Sequence, residues 1–266
     1  ILSQHLPTWM TYNNFTLTWP RCLDHESPCD RLTLVLLYRR DPSLRKIYTG
    51  KTKDVFTLED GSILLKFKDT VTGSEGNIDS GGNEVIGEIA GKGGSSFHLT
   101  LYFFELLQKA GIPTHFLTLG PVDNSIIVKA ARSYGLEVIC REKAWGSFVR
   151  RYAKYAEEGT PLPSLVEFTI KDDERGDPLI TKEAVVALGI ADLEAVKYME
   201  KTARDITALL KANLAEKDLE LIDIKFEFGE VDGKPLLIDE ISGDSMRVVK
   251  DGRVLLQNEL AEAVLS

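Results

Sequence analysis

Ile222-Asp-Ile-Lys-Phe-Glu-Phe228, followed by Pro235-Leu-Leu-Ile-Asp-Glu-Ile241, is the stretch on which the reading of this chain turns. Strand side chains alternate faces, so Asp223, Lys225 and Glu227 project together while Ile222, Ile224, Phe226 and Phe228 pack behind them. A three-residue turn at Val231-Asp232-Gly233, with Gly233 left-handed, predicts Lys225 opposite Asp239 and Glu227 diagonal to it. Glu227 and Asp239 would then be close enough to share a metal. A two-residue loop predicts the opposite, with the two acids on different faces. Two carboxylates beside nucleotide phosphates and water suit Mg2+, which keeps several non-protein ligands. Lys225 between the acids suits a phosphate or a substrate carboxylate. A solvated polar face on a half-buried hairpin would carry the same letters.

Working outward, residues 46–50, 53–58 and 62–68 read as short strands, with Glu59-Asp60-Gly61 as a hairpin turn. Residues 70–94 are rich in Gly, Ser, Asn and Asp and predict a long mobile loop. A helix capped by Ser95-Ser96 should run through Phe97, Leu101, Phe104 and Leu107 to stop at Gly111, with Pro113 beyond. Strands are expected at 114–119, 125–129 and 136–140, and a helix at 147–156. An amphipathic helix at 193–214 repeats Val196, Met199, Ala203, Ile206, Leu210 and Leu214 at steps of three and four, a core-facing stripe. Mixed elements without strict strand–helix alternation indicate an α+β fold. The division between lobes is expected within 120–135 and is placed at 125/126.

The chain has 266 residues, enough for one large or two modest domains around a cleft. Its formal net charge of −9 argues against a nucleic-acid binder, which neutralises phosphates with clustered Lys and Arg. No apolar run approaches the roughly 20 residues that span a bilayer, so no membrane partner is expected. Three cysteines, Cys22, Cys29 and Cys140, are too sparse for a disulfide framework or a zinc site, and a reduced, cytoplasmic enzyme is expected. Residues 1–45 lack strand or helix periodicity and read as an N-terminal extension outside the folded core. No helix shows a sustained heptad seam, so the pattern itself specifies no homo-oligomer.

Other short strings carry chemistry. Gly50-Lys51-Thr52-Lys53 between two strands could place two amines over a polyphosphate. Arg141 before Gly146-Ser147 could meet an anion, and the 171–178 loop, Asp244 and Arg247 are polar enough to line a site. Each also fits an ordinary surface lysine, N-cap or solvated loop, and taken singly none decides.

Together, in order and spacing, they resemble the phosphoribosylaminoimidazole-succinocarboxamide synthase (SAICAR synthetase) family of de novo purine synthesis. The resemblance runs from about Lys46 to Lys250. It rests on Gly50-Lys-Thr-Lys53, Gly111-Ile-Pro-Thr114, Arg141 with Gly146-Ser147, Lys171-Asp-Asp173 with Asp177-Pro178, Asp223 to Gly229, and Asp239-Glu-Ile-Ser242 with Asp244 and Arg247. It implies a two-lobed, ATP-grasp-like fold with ATP between a β-rich lobe, 46–125, and an α+β lobe, 126–266, that carries the metal hairpin. Lys51, Lys53 and Lys171 would contact ATP phosphates, with Glu227 and Asp239 as Mg2+ ligands. Asp177, Asp223 and Lys225 would face the imidazole substrate and its activated carboxylate, and Arg141, Ser147 and Arg247 would cradle the ribotide phosphate. The implied reaction joins L-aspartate to carboxyaminoimidazole ribotide through an acyl phosphate made from ATP.

Departures from the family pattern occur at Glu142 and Trp145, at Ser96-Phe97 near Lys92, and at Gly243. They are expected near the imidazole and aspartate pockets rather than among the ATP groups. The alternative is a paralogous ATP-dependent carboxylate–amine ligase with a different substrate pair.

Overall fold

The computed structural model of the chain describes residues 44–74 and 76–266. The expected N-terminal extension therefore lies, but for its last two residues, outside the described residues. Among the described residues, three antiparallel sheets and five α-helices make up an α+β fold. The first sheet runs in the order β1 (Arg45–Thr49), β2 (Lys53–Thr57), β3 (Ile63–Phe67), β8 (Ser125–Val128), β7 (Phe116–Leu119). Strand β8, which straddles the expected 125/126 boundary, pairs wholly within this sheet. The second sheet has β9 (Arg132–Lys143) at its centre, between β12 (Glu220–Val231) and β10 (Pro161–Ile170), with β11 (Leu179–Ile180) on the far side of β10.

The segment 70–94, expected as a mobile loop, forms a third sheet instead: β4 (Thr70–Ser74), β5 (Asn77–Ile78) and β6 (Glu84–Glu88). Val71 and Thr72 are buried in it. A Cβ added at Gly73 would collide with the Asn77 carbonyl and the Ile86 side chain. Here glycine reflects close backbone approach rather than mobility.

Helix α1 (Lys92–Lys109) starts three residues before the expected Ser95. The reason is a cap remote in sequence: the Asp69 carboxylate accepts from Gly91 N at 3.1 Å and Gly93 N at 2.8 Å. That satisfies first-turn donors that would otherwise lack partners, and a carboxylate there suits the helix dipole. Ser95 and Ser96 are left buried inside the first turns. The helix turns Leu99, Phe103, Phe104 and Leu107 into the core. Asp69→Ala should cost about 1 kcal/mol, the usual loss of a capping group, read as a lower denaturation midpoint.

Helices α2 (Ser147–Tyr152) and α3 (Lys182–Ala187) are short, the first ending before the expected Ala156. Helix α4 (Leu193–Ala215) matches its expected span, capped by Asp192 accepting from Ala195 N at 2.7 Å. Met199, Ala203, Ile206, Leu210 and Leu214 are all fully buried against one face of the second sheet. Each large apolar side chain among them contributes roughly 1.5–3 kcal/mol by leaving water. Helix α5 (Gln257–Leu265) packs beside α1. Among the described residues no helix is long and apolar enough to cross a membrane.

What positions the site is an exchange of partners along β12. Its first half pairs β14 (Met246–Lys250) and its second half β13 (Lys234–Ile238), both on the edge away from β9. The connection 239–245 must therefore cross at mid-strand, where Lys225 N donates to Ser245 O at 2.8 Å.

Candidate active site

The polar face of the second sheet, opposite α4, is built by cross-strand rows. Asp223 lies opposite Arg141 on β9 and Arg247 on β14, so three strands put two guanidiniums around one carboxylate. Arg141 Nη1 donates to Asp223 Oδ2 at 2.6 Å, and Arg247 Nη1 reaches both Asp223 oxygens at 2.9 and 2.8 Å. Arg141 is buried, with further bonds to Glu167 at 2.7 Å and Ser147 Oγ at 3.1 Å. Arg247 also holds Asp79 Oδ1 and the Ser80 carbonyl, at 2.6 and 3.0 Å from Nη2. The glycine-rich third sheet is thereby docked over this face. Gly146, at φ 50, lies so close that a Cβ there would sit 3.0 Å from the Arg247 guanidinium.

One pocket is lined by Arg141, Ser147, Asp177, Asp223, Lys225 and Arg247, six of the side chains expected in the site. Lys225 pairs with Glu137 Oε1 at 2.5 Å, and Thr169 Oγ1 donates to the other Glu137 oxygen at 3.1 Å. Burial works against the Lys225 ammonium, but Glu137 and Glu227 outweigh it and hold its pKa above the ordinary lysine value. Asp177, at φ 49, accepts from Asp172 N at 2.8 Å. Burial, then the charge of Glu137, pushes its carboxyl up.

Lys53, Lys171, Glu227 and Asp239 form a second cluster further along β12. Lys53 Nζ lies 2.9 Å from Asp239 Oδ1 and also bonds Glu240, while Lys171 Nζ lies 2.5 Å from Glu227 Oε1. Lys51 sits outside this group, 2.7 Å from Asp173 in the loop after Lys171. That contact ties the turn after β1 to the second sheet's loop. Burial disfavours the charged forms of Lys53 and Lys171, yet the facing carboxylates keep both pKa values raised. Burial and then the Asp239 charge push Glu227 up. Burial would raise Asp239 too, but Lys53 and Lys171 prevail and hold it at about 2.

The hairpin register differs from the three-residue turn expected. Val231 pairs Lys234 and Glu227 pairs Ile238, so Asp232-Gly233 is a two-residue loop with both residues left-handed, at φ 51 and 74. Lys225 is accordingly not opposite Asp239. By strict alternation Asp239 would turn away from Glu227. It does not, because Asp239 lies beyond the end of β13 with φ 70, and this bend re-aims its side chain toward Lys53. His115 fastens the bend: its backbone N donates to Leu237 O and its ring Nε2–H to Asp239 O, both at 3.0 Å. Burial lowers the His115 pKa to about 4, which leaves the ring neutral near pH 7. His115→Ala should cost about 2 kcal/mol, from the lost bond and packing, read as a lower denaturation midpoint.

Glu137, Glu167, Glu240 and His115 were not singled out in the sequence. Glu137 carried a usable signal, an acid between Leu136 and Val138 in an apolar strand. Of the departures, Glu142 falls away from the pocket, contrary to expectation: alternation puts it on the α4 face, where it pairs with Lys211 at 2.5 Å. Ser96 donates to Asp244 Oδ2 at 2.9 Å, and Asp244 is also paired with the fully buried Lys92.

Among the described residues no group of three or more His, Cys, Asp or Glu is poised around a metal. Glu227 and Asp239 are two carboxylates, a donor set that fits Mg2+ completed by phosphate and water.

The family model described as SAICAR synthetase matches residues 46–259. The phosphoribosylaminoimidazole-succinocarboxamide synthase of Clostridium tetani is 47% identical over 223 residues, 82% of this chain and 98% of that protein. A solved SAICAR synthetase in complex with ADP superposes with a TM-score of 0.70 at 34% identity, covering 78% of this chain and 86% of its own. The SAICAR synthetase of Pyrococcus horikoshii gives a TM-score of 0.65 at 32% identity, with 79% and 86% covered. With the family match spanning both large sheets and the charged face between them, this chain belongs to the SAICAR synthetase family.

Proposed function

We infer that the chain is an ATP-dependent ligase that joins L-aspartate to carboxyaminoimidazole ribotide to give SAICAR, in de novo purine synthesis. The observation that carries this reading is the single charged face of β12. Asp223 lies at its arginine end and Glu227 at its lysine end, with Lys225 between. Four residues of strand separate the ends by roughly 13 Å, a span of the order of a ribotide together with the phosphoryl group it receives.

ATP binds between the two large sheets, which divide at residues 129–131, with its phosphates toward Lys51, Lys53 and Lys171. Bound Mg2+, held by Glu227 and Asp239, would neutralise phosphate charge there. The ribotide phosphate enters the pocket of Arg141, Ser147 and Arg247, and Lys225 steadies the imidazole carboxylate. A carboxylate oxygen attacks the γ-phosphorus and ADP departs, leaving an acyl phosphate. The amine of aspartate then attacks the acyl carbon and inorganic phosphate leaves with the former carboxylate oxygen. Asp177, whose carboxyl is biased toward protonation, is placed to manage the amine proton. No covalent nucleophile of the protein is required, since positioning and charge neutralisation suffice for phosphoryl transfer. Cys140 is a buried free thiol, which suits the cytoplasm, where we place the enzyme.

The test is a substrate panel of protein, ATP, Mg2+ and carboxyaminoimidazole ribotide with each amino acid in turn. ADP release should require both the ribotide and aspartate. Release that is indifferent to aspartate, or driven by another amine, would move the chain to a different carboxylate–amine pair.

A further inference from the structure

The arginines of the ribotide pocket are largely cancelled by the protein itself. Arg141 is matched by Glu167 and Asp223, Arg247 by Asp223 and Asp79, and Arg151 by Glu167 at 2.8 and 2.7 Å. Three guanidiniums thus face three carboxylates, and the neighbouring Lys225 is matched by Glu137. A phosphate monoester brings a charge of about −1.5 to −2 at neutral pH. Such a cluster can donate hydrogen bonds to it but offers no net positive charge.

One guanidinium lining the same pocket has no carboxylate partner among the described residues: Arg150. It stands three residues after Ser147 in α2, so the two share a helical face, and Arg151 flanks it. Ser147 and Arg151 are fixed toward the pocket by their bonds to Arg141 and Glu167. Arg150 itself is exposed at the rim.

We propose that Arg150 is a substrate-binding residue that supplies the uncompensated positive charge for the 5′-phosphate of the ribotide, and so sets the preference for phosphorylated over unphosphorylated carboxylate substrates. Arg141, Ser147 and Arg247 shape the cradle; Arg150 closes on the dianion from the solvent side as a charge-assisted donor. This rests on the ribotide pocket assigned above.

The experiment compares wild type with Arg150→Gln and Arg150→Lys, reading the KM for the ribotide and the Ki of its dephosphorylated nucleoside as a competitive inhibitor. Arg150→Gln should raise the ribotide KM about tenfold, a modest value because the site is partly solvated. The nucleoside Ki, and the KM values for ATP and aspartate, should stay within about twofold. Arg150→Lys should recover most of the loss. A ribotide KM unchanged in Arg150→Gln, an equal loss for the nucleoside, or a rise confined to the aspartate KM would overturn the assignment. A wild-type protein that does not turn over the ribotide at all would instead overturn the ligase reading beneath it.

Discussion

Glu227→Gln and Asp239→Asn should each lower kcat by about 10³-fold, the first while leaving the protein at least as stable as wild type and the second with a small loss of stability. The two halves of this expectation come from the same geometry. Glu227 is buried beside another carboxylate and is pushed toward protonation, so its charge is a cost to the fold. Removing it frees Lys171, which is partly exposed and can turn to water. Removing the Asp239 charge leaves Lys53 its bond to Glu240 but gives up the attraction that holds Asp239 ionised, so a small part of the stability is lost. Neither variant strands a buried ammonium. A side chain that is unfavourable for stability but indispensable for turnover, as Glu227 is, is the signature of a site held for chemistry. Thermal denaturation together with steady-state kinetics reads both halves; loss of activity that simply tracks loss of folded protein would contradict the assignment of these acids.

Arg141→Met should show the reverse pattern, a cost of about 3 kcal/mol in stability together with a ribotide KM raised by at least about 100-fold. The side chain is almost fully buried, and its removal deprives Asp223 and Glu167 of one counter-charge each. Arg247 and Arg151 still reach those carboxylates, which keeps the loss toward the lower end for a broken buried ion pair. Urea unfolding gives the stability change, and ribotide titration the binding change. A variant as stable as wild type would mean that Arg141 is not the hub of this network.

The charged face of β12 was legible in the sequence because strand periodicity alone decides which side chains share a side, and burial of Ile222, Ile224, Phe226 and Phe228 on the other side follows from the same rule. The stripe of α4 was legible for the equivalent reason at helical period. Convergence of Glu227 with Asp239 was expected, but by the wrong route. The pair Asp232-Gly233 suits a two-residue turn, and its register would have separated the acids had Asp239 continued the strand. The left-handed bend at Asp239 is a tertiary effect, fixed by His115 from the bend just before β7, and local sequence does not encode it. The same limit explains α1, whose cap is Asp69, over twenty positions away from Gly91 and Gly93 in the chain. Glycine density at 70–94 was ambiguous in kind, since both loose loops and tight strand contacts select Gly. Glu137 escaped notice because a lone acid in an apolar strand acquires meaning only when Lys225 arrives from the neighbouring strand.

Activation of a carboxylate by phosphorylation is the claim that everything at this site serves, and oxygen transfer tests it most directly. Ribotide labelled with 18O in its imidazole carboxylate should be turned over with ATP and aspartate, and the released phosphate analysed by mass spectrometry. One labelled oxygen in each phosphate is the predicted result, because the carboxylate oxygen that attacks phosphorus leaves with it. Unlabelled phosphate from a reaction that still forms the amide would contradict an acyl phosphate at this site.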